Sequence, residues 1–168
     1  LRKGIPYLVE AARLLADAPV EFSVVGSIQI PASARAAAPA NITWRGPVPR
    51  NEVGACYAQA DVFVLPTVSD GFALTQLEAL AHGVPVVTTP NCGEVVEDGR
   101  NGFIVPAREP AALAEALLRF VRDPRLAAGM RADCRARARQ FGPETYQQRL
   151  LQILQSRTGA RPMAAGQR

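Results

Sequence analysis

The sequence predicts an α/β fold, an open parallel sheet with helices on both faces, and three observations carry that expectation. Short apolar runs stopped by glycine or proline, such as Phe22-Ser23-Val24-Val25 before Gly26 and Val62-Phe63-Val64-Leu65 before Pro66, read as buried strands. Stretches with apolar residues at helical spacing lie between them. Strands that alternate with helices pair in parallel, and such sheets bind ligands outside the carboxyl ends of their strands.

Taken in order, Pro6 opens a helix whose Ile5, Leu8, Ala12 and Leu15 share one face, running to about Ala16 and ending before Pro19. The strand ending at Gly26 leads into a loop, and this glycine suits either close backbone approach to a ligand or an ordinary strand-to-turn transition. Ala32 to Ala38 forms a short helix, Ile42-Thr43-Trp44 a third strand position, and Gly46-Pro47-Val48-Pro49 a loop. Asn51 is placed to cap a helix with Val53, Tyr57 and Ala60 inward. After the strand at Val62 comes a helix starting near Gly71 and ending at His82-Gly83, then a strand over Val84-Pro85-Val86-Val87. His82, the single histidine, reads as a helix-end residue rather than a base. Cys92 to Gly99 is a turn segment and Gly102-Phe103-Ile104-Val105 the last strand. Three helices follow. Pro110 opens the first, with Leu113, Leu117, Phe120 and Val121 on one face, Asp123-Pro124 caps the second, and Gly142-Pro143 starts the third through Tyr146, Leu150, Ile153 and Leu154, stripes that read as core. One domain over residues 1–157 and a flexible tail over 158–168 result.

The 168 residues suffice for one domain with a real core, burying about 70% of its unfolded surface. Apolar residues make up 48% and charged residues 20%, an ordinary globular composition, and no apolar run is long enough to span a bilayer. The net charge of +4 comes from scattered arginines without interleaved aromatics, which argues against nucleic acid as a partner. Cys56, Cys92 and Cys134 are odd in number and far apart, so neither a disulfide framework nor a zinc site is indicated, and a reducing cytoplasm fits. The opening Leu1-Arg2-Lys3-Gly4 reads as the middle of a longer protein.

Chemistry concentrates at Ser69-Asp70-Gly71-Phe72-Ala73-Leu74, where a strand end turns into a helix. The first amides of a helix lack intrahelical partners and sit at the positive end of its dipole, and Gly71 presents no side chain, so a phosphate fits there. Glu78 follows Asp70 by eight residues, about 12 Å of rise if the interval is helical. Two carboxylates flanking an anion site suit a ligand with hydroxyls at each end and phosphate between, as in a nucleotide-sugar. The same residues also fit a turn cap and a solvated helix position. No Gly-x-Gly-x-x-Gly or Walker-type loop occurs, which disfavours a dehydrogenase or a nucleotide hydrolase.

Lys3-Gly4, the strand ending at Gly26, Trp44-Arg45-Gly46-Pro47-Val48, Ala60 to Pro66, Asp70 to Leu74, Leu77 to Ala81, Gly83 to Val87 and Asp98 to Phe103 occur in one order. Together they resemble the donor-binding, carboxyl-terminal domain of retaining GT-B glycosyltransferases of family 4, over about Arg2 to Leu154. The resemblance implies a Rossmann-like half of a GT-B fold. It also implies a nucleoside-diphosphate sugar as donor, a sugar or lipid-linked acceptor reached through another domain, retention of anomeric configuration and no metal or other cofactor. In its terms Asp70 contacts the donor sugar, Glu78 the ribose hydroxyls, the amides of Gly71, Phe72, Ala73 and Leu74 the pyrophosphate, and Lys3, the single lysine, neutralises the diphosphate. Asp70 and Lys3 are thus the catalytic candidates, while Gly26 adjoins the donor and Gly46 to Val48 lie under the base.

Three departures accompany the resemblance. Asp70 is one methylene shorter than the family glutamate. The family's glycine pair is reduced to Cys92-Gly93, followed at once by Glu94. The first strand and its arginine are absent, since Arg2 stands too close to Lys3 to be that arginine. About five strands are therefore expected, with an exposed edge or unpaired position that favours a homodimer of the fragment. The parent enzyme is expected in the cytoplasm or peripheral at the inner face of a membrane, and this part alone is expected to bind without turnover. A non-catalytic nucleotide-sugar binding or assembly module is the competing reading, and a nucleotide-sugar epimerase or a phosphorylase of the same architecture is a third.

Overall fold

The structure is a computed structural model that describes residues 2–158. The elements run α1 (Ile5–Leu14), β1 (Phe22–Val25), α2 (Ala32–Ala36), β2 (Ile42–Gly46), α3 (Val53–Ala58), β3 (Phe63–Leu65), α4 (Leu74–Ala81), β4 (Val86–Thr88), β5 (Gly102–Ile104), α5 (Pro110–Arg122), α6 (Leu126–Arg139) and α7 (Pro143–Thr158). Helix–strand alternation is as the sequence predicts. A short 3-10 turn over Pro90–Cys92 follows β4. The expected tail lies outside the described residues, except Thr158, which closes α7.

Every strand pair is parallel, and helices cover both faces. β4 is the middle strand of the order β3-β4-β5, and its three residues are all buried, which is why that segment shows no polar alternation. β1 and β2 pair separately, so the described residues make two sheets rather than one continuous sheet. Beside the end of β3 lies the start of the chain: the Arg2 carbonyl accepts hydrogen bonds from the Val68 amide and the Thr67 hydroxyl, both at 2.9 Å.

One apolar core nevertheless joins both sheets, with Phe22 of β1, Ile42 of β2, Val86 and Val87 of β4 and Phe103 of β5 packed with Leu8 and Leu15, Leu80, Leu113 and Leu117. α1 lies against α5 and α4 against α6. Met130 and Cys134 bring the inner face of α6 into the same core.

Four local expectations are corrected. α4 begins at Leu74, not near Gly71, because Ala73 is extended at φ −85° and ψ 103° and acts as the cap. Asn51 does not cap α3; Glu52 precedes Val53 in helical conformation, without a side-chain cap. Leu74, which with Ala73, Leu77, Leu80 and Ala81 recurs at helical spacing, is 65% exposed, on the outer side of its helix rather than on the buried face. The stripe of α7 is not core either: Tyr146 is 69% exposed, and Leu150 and Ile153 are exposed as well. A helical period shows that an apolar face exists and says nothing of what covers it.

Candidate functional site

The candidate residues gather at the carboxyl ends of the strands, where hydroxyl and amide side chains lace one loop to the next. From the end of β4, the Thr88 hydroxyl donates to the Leu65 carbonyl at 3.0 Å and Thr89 to the Thr67 carbonyl at 2.7 Å. The Asp70 amide donates to the Asn91 carbonyl at 2.8 Å, and Asn91 Nδ2 returns to the Val68 carbonyl at 2.9 Å. Gln76, fully buried in the first turn of α4, donates to the Cys92 carbonyl at 2.8 Å. Buried polar groups hold position only when satisfied, and here Thr88 and Thr89 fasten the end of β4 to the end of β3 and Gln76 fastens the start of α4 to the turn at Pro90–Cys92, while the exposed Asn91 ties Val68 and Asp70 to the same turn. Gly93 then packs on the Phe72 ring, which a Cβ at that glycine would meet at 3.1 Å.

Lys3 reaches this segment because Gly4 lets the chain pass Pro66 in contact. Gly4 has φ 77°, and a Cβ there would stand 1.8 Å from the Pro66 carbonyl oxygen, so only glycine fits. Beside it, Lys3 Nζ forms a hydrogen-bonded ion pair with Asp70 Oδ2, the lysine side chain 46% exposed and the aspartate 13%. The hydrogen bond from Lys3 holds the Asp70 carboxyl below its ordinary range, with the Lys3 and Arg2 charges and the Phe72 amide acting in the same direction. The pair brings together the two catalytic candidates, a junction that separate readings of the two residues did not foresee.

Gly71 borders the pair, and a Cβ built there would meet nothing within 4 Å. The first backbone hydrogen bond of α4 is Gln76 N to Ala73 O at 3.1 Å, so the Leu74 and Thr75 amides at its start precede the helical ladder. Phe72 is 44% exposed and stacks at a tilt on Phe141, with ring centroids 5.9 Å apart. The later start of α4 leaves Gly71, Phe72 and Ala73 outside the helix, with Ala73 extended, rather than as a first helical turn. The interval from Asp70 to Glu78 is therefore helical only from Leu74, and the rise expected for a helix from Gly71 does not apply.

The remaining candidates occupy the ends of the other sheet. The Gly26 amide donates to the Gly46 carbonyl at 2.8 Å, joining the loops after β1 and β2. Both glycines have positive φ, 123° and 72°, with open space where a Cβ would stand. Val48 lines a cavity of about 300 Å³ together with Arg45, Glu52, Ala55, Cys56 and Gln59.

Glu78 is exposed on α4 and has a partner that spacing did not reveal. Tyr57 of α3, itself buried, places its hydroxyl 2.9 Å from Glu78 Oε2 and 3.4 Å from the Thr75 carbonyl. Burial, and next the bond to Glu78, push the phenol well above its ordinary range. Its inward position was legible as core; its bond to a carboxylate 21 positions later was not. Among the described residues no cluster of three or more His, Cys, Asp or Glu is placed to hold a metal ion, and no helix is long and apolar enough to cross a membrane.

A family model described as glycosyl transferases group 1 matches residues 1–123. The D-inositol 3-phosphate glycosyltransferase of Streptomyces scabiei is 38% identical over 106 residues, covering 62% of this chain and 24% of that protein. The chain thus spans about a quarter of the length of such curated relatives. Among solved structures, sucrose-phosphate synthase from Thermosynechococcus elongatus aligns with TM-score 0.76 and 26% identity over 95% of this chain and 43% of that one. HepE from Anabaena, solved in complex with UDP, aligns with TM-score 0.76 and 25% identity over 92% of this chain and 46% of that one. The fold is one Rossmann-like half of a GT-B architecture. With the family match covering well over half of its length, the chain belongs to the group 1 glycosyltransferases.

Proposed function

We propose that the chain is the donor-binding, carboxyl-terminal domain of a retaining glycosyltransferase that moves a sugar from a nucleoside diphosphate to an acceptor hydroxyl without a metal. The observation that carries the reading is the Lys3–Asp70 pair at the open start of α4, beside the unobstructed Gly71. A cation, free helix-start amides and a carboxylate together suit a diphosphate joined to a sugar. Similarity to HepE, solved with UDP, supports the same ligand class.

In this reading the diphosphate lies against Gly71 and the amides up to Leu74, and Lys3 turns from Asp70 to the phosphates. Asp70, released from Lys3, accepts a hydrogen bond from a sugar hydroxyl. Glu78 accepts from the ribose diol, and Val48 borders the base cavity. The bond from the anomeric carbon to the diphosphate oxygen breaks, its electron pair leaving with the diphosphate. The acceptor oxygen bonds to that carbon on the same face, and its proton passes to the departing diphosphate. Lys3 and the helix-start amides stabilise the charge that grows on the leaving oxygens, where preorganised donors contribute most. The acceptor, a sugar or a lipid-linked group, is held by another part of the parent protein, so this chain alone binds donor and does not turn it over.

Calorimetric titration of the chain with UDP, GDP and their sugars tests the reading. Saturable binding that weakens in Lys3→Ala and in Glu78→Ala is the expected result. A folded chain that binds none of these ligands overturns it.

A further inference from the structure

Glu78 is an exposed glutamate on the outer side of a helix, a type of side chain that normally samples many rotamers. Here it does not stand alone. The Tyr57 hydroxyl sits 2.9 Å from Oε2, and that phenol is held on two sides: the Phe63 ring meets it edge-on at 5.7 Å, and the His82 imidazole stacks on it at 5.4 Å with an interplanar angle of 20°. Tyr57 is buried, so its hydroxyl has two acceptors within reach, Glu78 and the more distant Thr75 carbonyl at 3.4 Å. A donor fixed by two rings thereby fixes an acceptor that its own helix leaves free. One carboxylate oxygen is engaged by the phenol, and the other, Oε1, has no recorded partner among the described residues.

We infer that Tyr57 is a positioning residue for ribose recognition, its hydroxyl holding Glu78 so that Oε1 remains to receive the ribose diol. The inference rests on the reading of Glu78 as the ribose-binding carboxylate. A ribose presents two adjacent hydroxyl donors, and a carboxylate already oriented binds them without first losing its rotamer freedom. The phenol stays protonated through the whole neutral range, so it acts as a donor throughout. His82 enters as part of this support: its ring stacks on Tyr57, and its position at the end of α4 ties the clamp to the helix that carries Glu78.

The test compares UDP with 2′,3′-dideoxy-UDP on the wild-type chain, on Tyr57→Phe and on Glu78→Ala. Phenylalanine keeps the ring between Phe63 and His82 and removes only the hydroxyl, and thermal unfolding checks that the fold is intact. The expected result is that Tyr57→Phe lowers UDP affinity by about three- to tenfold, the range for immobilising one rotamer-rich side chain, and leaves dideoxy-UDP affinity unchanged. Glu78→Ala should abolish the preference for UDP over its dideoxy analogue. Equal weakening of both ligands in Tyr57→Phe overturns the inference, because a merely structural tyrosine acts on both alike. So does an unchanged preference in Tyr57→Phe while Glu78→Ala loses it, a result that leaves the ribose reading standing. An unaltered preference in Glu78→Ala overturns the ribose reading and the inference together.

Discussion

Lys3 and Asp70, 67 positions apart in sequence, are joined by a hydrogen-bonded ion pair where the chain start meets the end of β3. The pair is partly solvated on the lysine side, so as a stabilising contact it belongs with surface ion pairs, worth about 0–1 kcal/mol. In the proposed reading its weight lies in ligand binding, where a diphosphate offers Lys3 more charge than one carboxylate does. Lys3→Ala should therefore change unfolding free energy by less than about 1 kcal/mol, while UDP affinity falls by about tenfold or more, as expected for a lost charge-assisted hydrogen bond. Urea unfolding and calorimetry on the same variant read the two effects; equal UDP affinity in variant and wild type would contradict the assignment.

The same pair sets a pH dependence. The Asp70 carboxyl is held below its ordinary range when folded, mainly by the hydrogen bond from Lys3, so the unfolded chain binds that proton more readily. Its contribution is complete above the unfolded value and is lost as pH falls through the folded one. The stability difference between wild type and Asp70→Asn should be constant from neutral pH down to the usual carboxylate range and vanish only below it. Denaturant midpoints measured from pH 7 to pH 3 check this.

Gly4 is the tightest passage in the molecule's site. Gly4→Ala would place a Cβ 1.8 Å from the Pro66 oxygen at φ 77°, and the left-handed backbone alone costs an alanine about 1–2 kcal/mol before that clash is relieved. The variant should lose at least about 2 kcal/mol of stability and bind UDP more weakly, since Lys3 moves with its neighbour. A wild-type urea midpoint would show that Pro66 yields.

On α7 the opposite outcome is expected. Leu150→Ser and Tyr146→Ser remove apolar groups that are already exposed, so stability should stay within about 0.5 kcal/mol of wild type. A larger loss, measured by thermal unfolding of the chain, would mean that this face is covered in solution.

In the proposed reading Lys3 and the start of α4 supply the positive charge, so donor binding should also be indifferent to divalent cations. UDP affinity in EDTA and in excess magnesium should agree within error of the titration. A strong dependence on magnesium would move the phosphate assignment away from Lys3.

Much of the fold was legible because β3, β4 and β5 are short, mostly apolar runs, β4 buried throughout, and α1 and α5 carry unmistakable apolar stripes. The site was legible in part. Asp70, Gly71 and Glu78 stand out by residue type and spacing, whereas the pairing of Lys3 with Asp70 depends on Gly4 bringing the chain past Pro66, a contact no local pattern encodes. The bond from Tyr57 to Glu78 joins two helices, α3 and α4, and periodicity reports only which face of each turns inward. The start of α4 was misplaced because Gly71, Phe72 and Ala73 carry no strong stop signal, and the buried Gln76 that anchors the true first turn looks in sequence like any polar helix residue.

Among the described residues no backbone hydrogen bond links β1 or β2 to β3, β4 or β5; the two sheets share side-chain packing alone. Each ladder is hydrogen-bonded only within itself, and in amide exchange the two should keep separate time, the two-stranded ladder releasing its protons first. A nucleotide laid from Val48 to Asp70 would bridge them. Binding should then draw the two exchange rates toward one value, adding a polar tie to the packing that the two sheets already share.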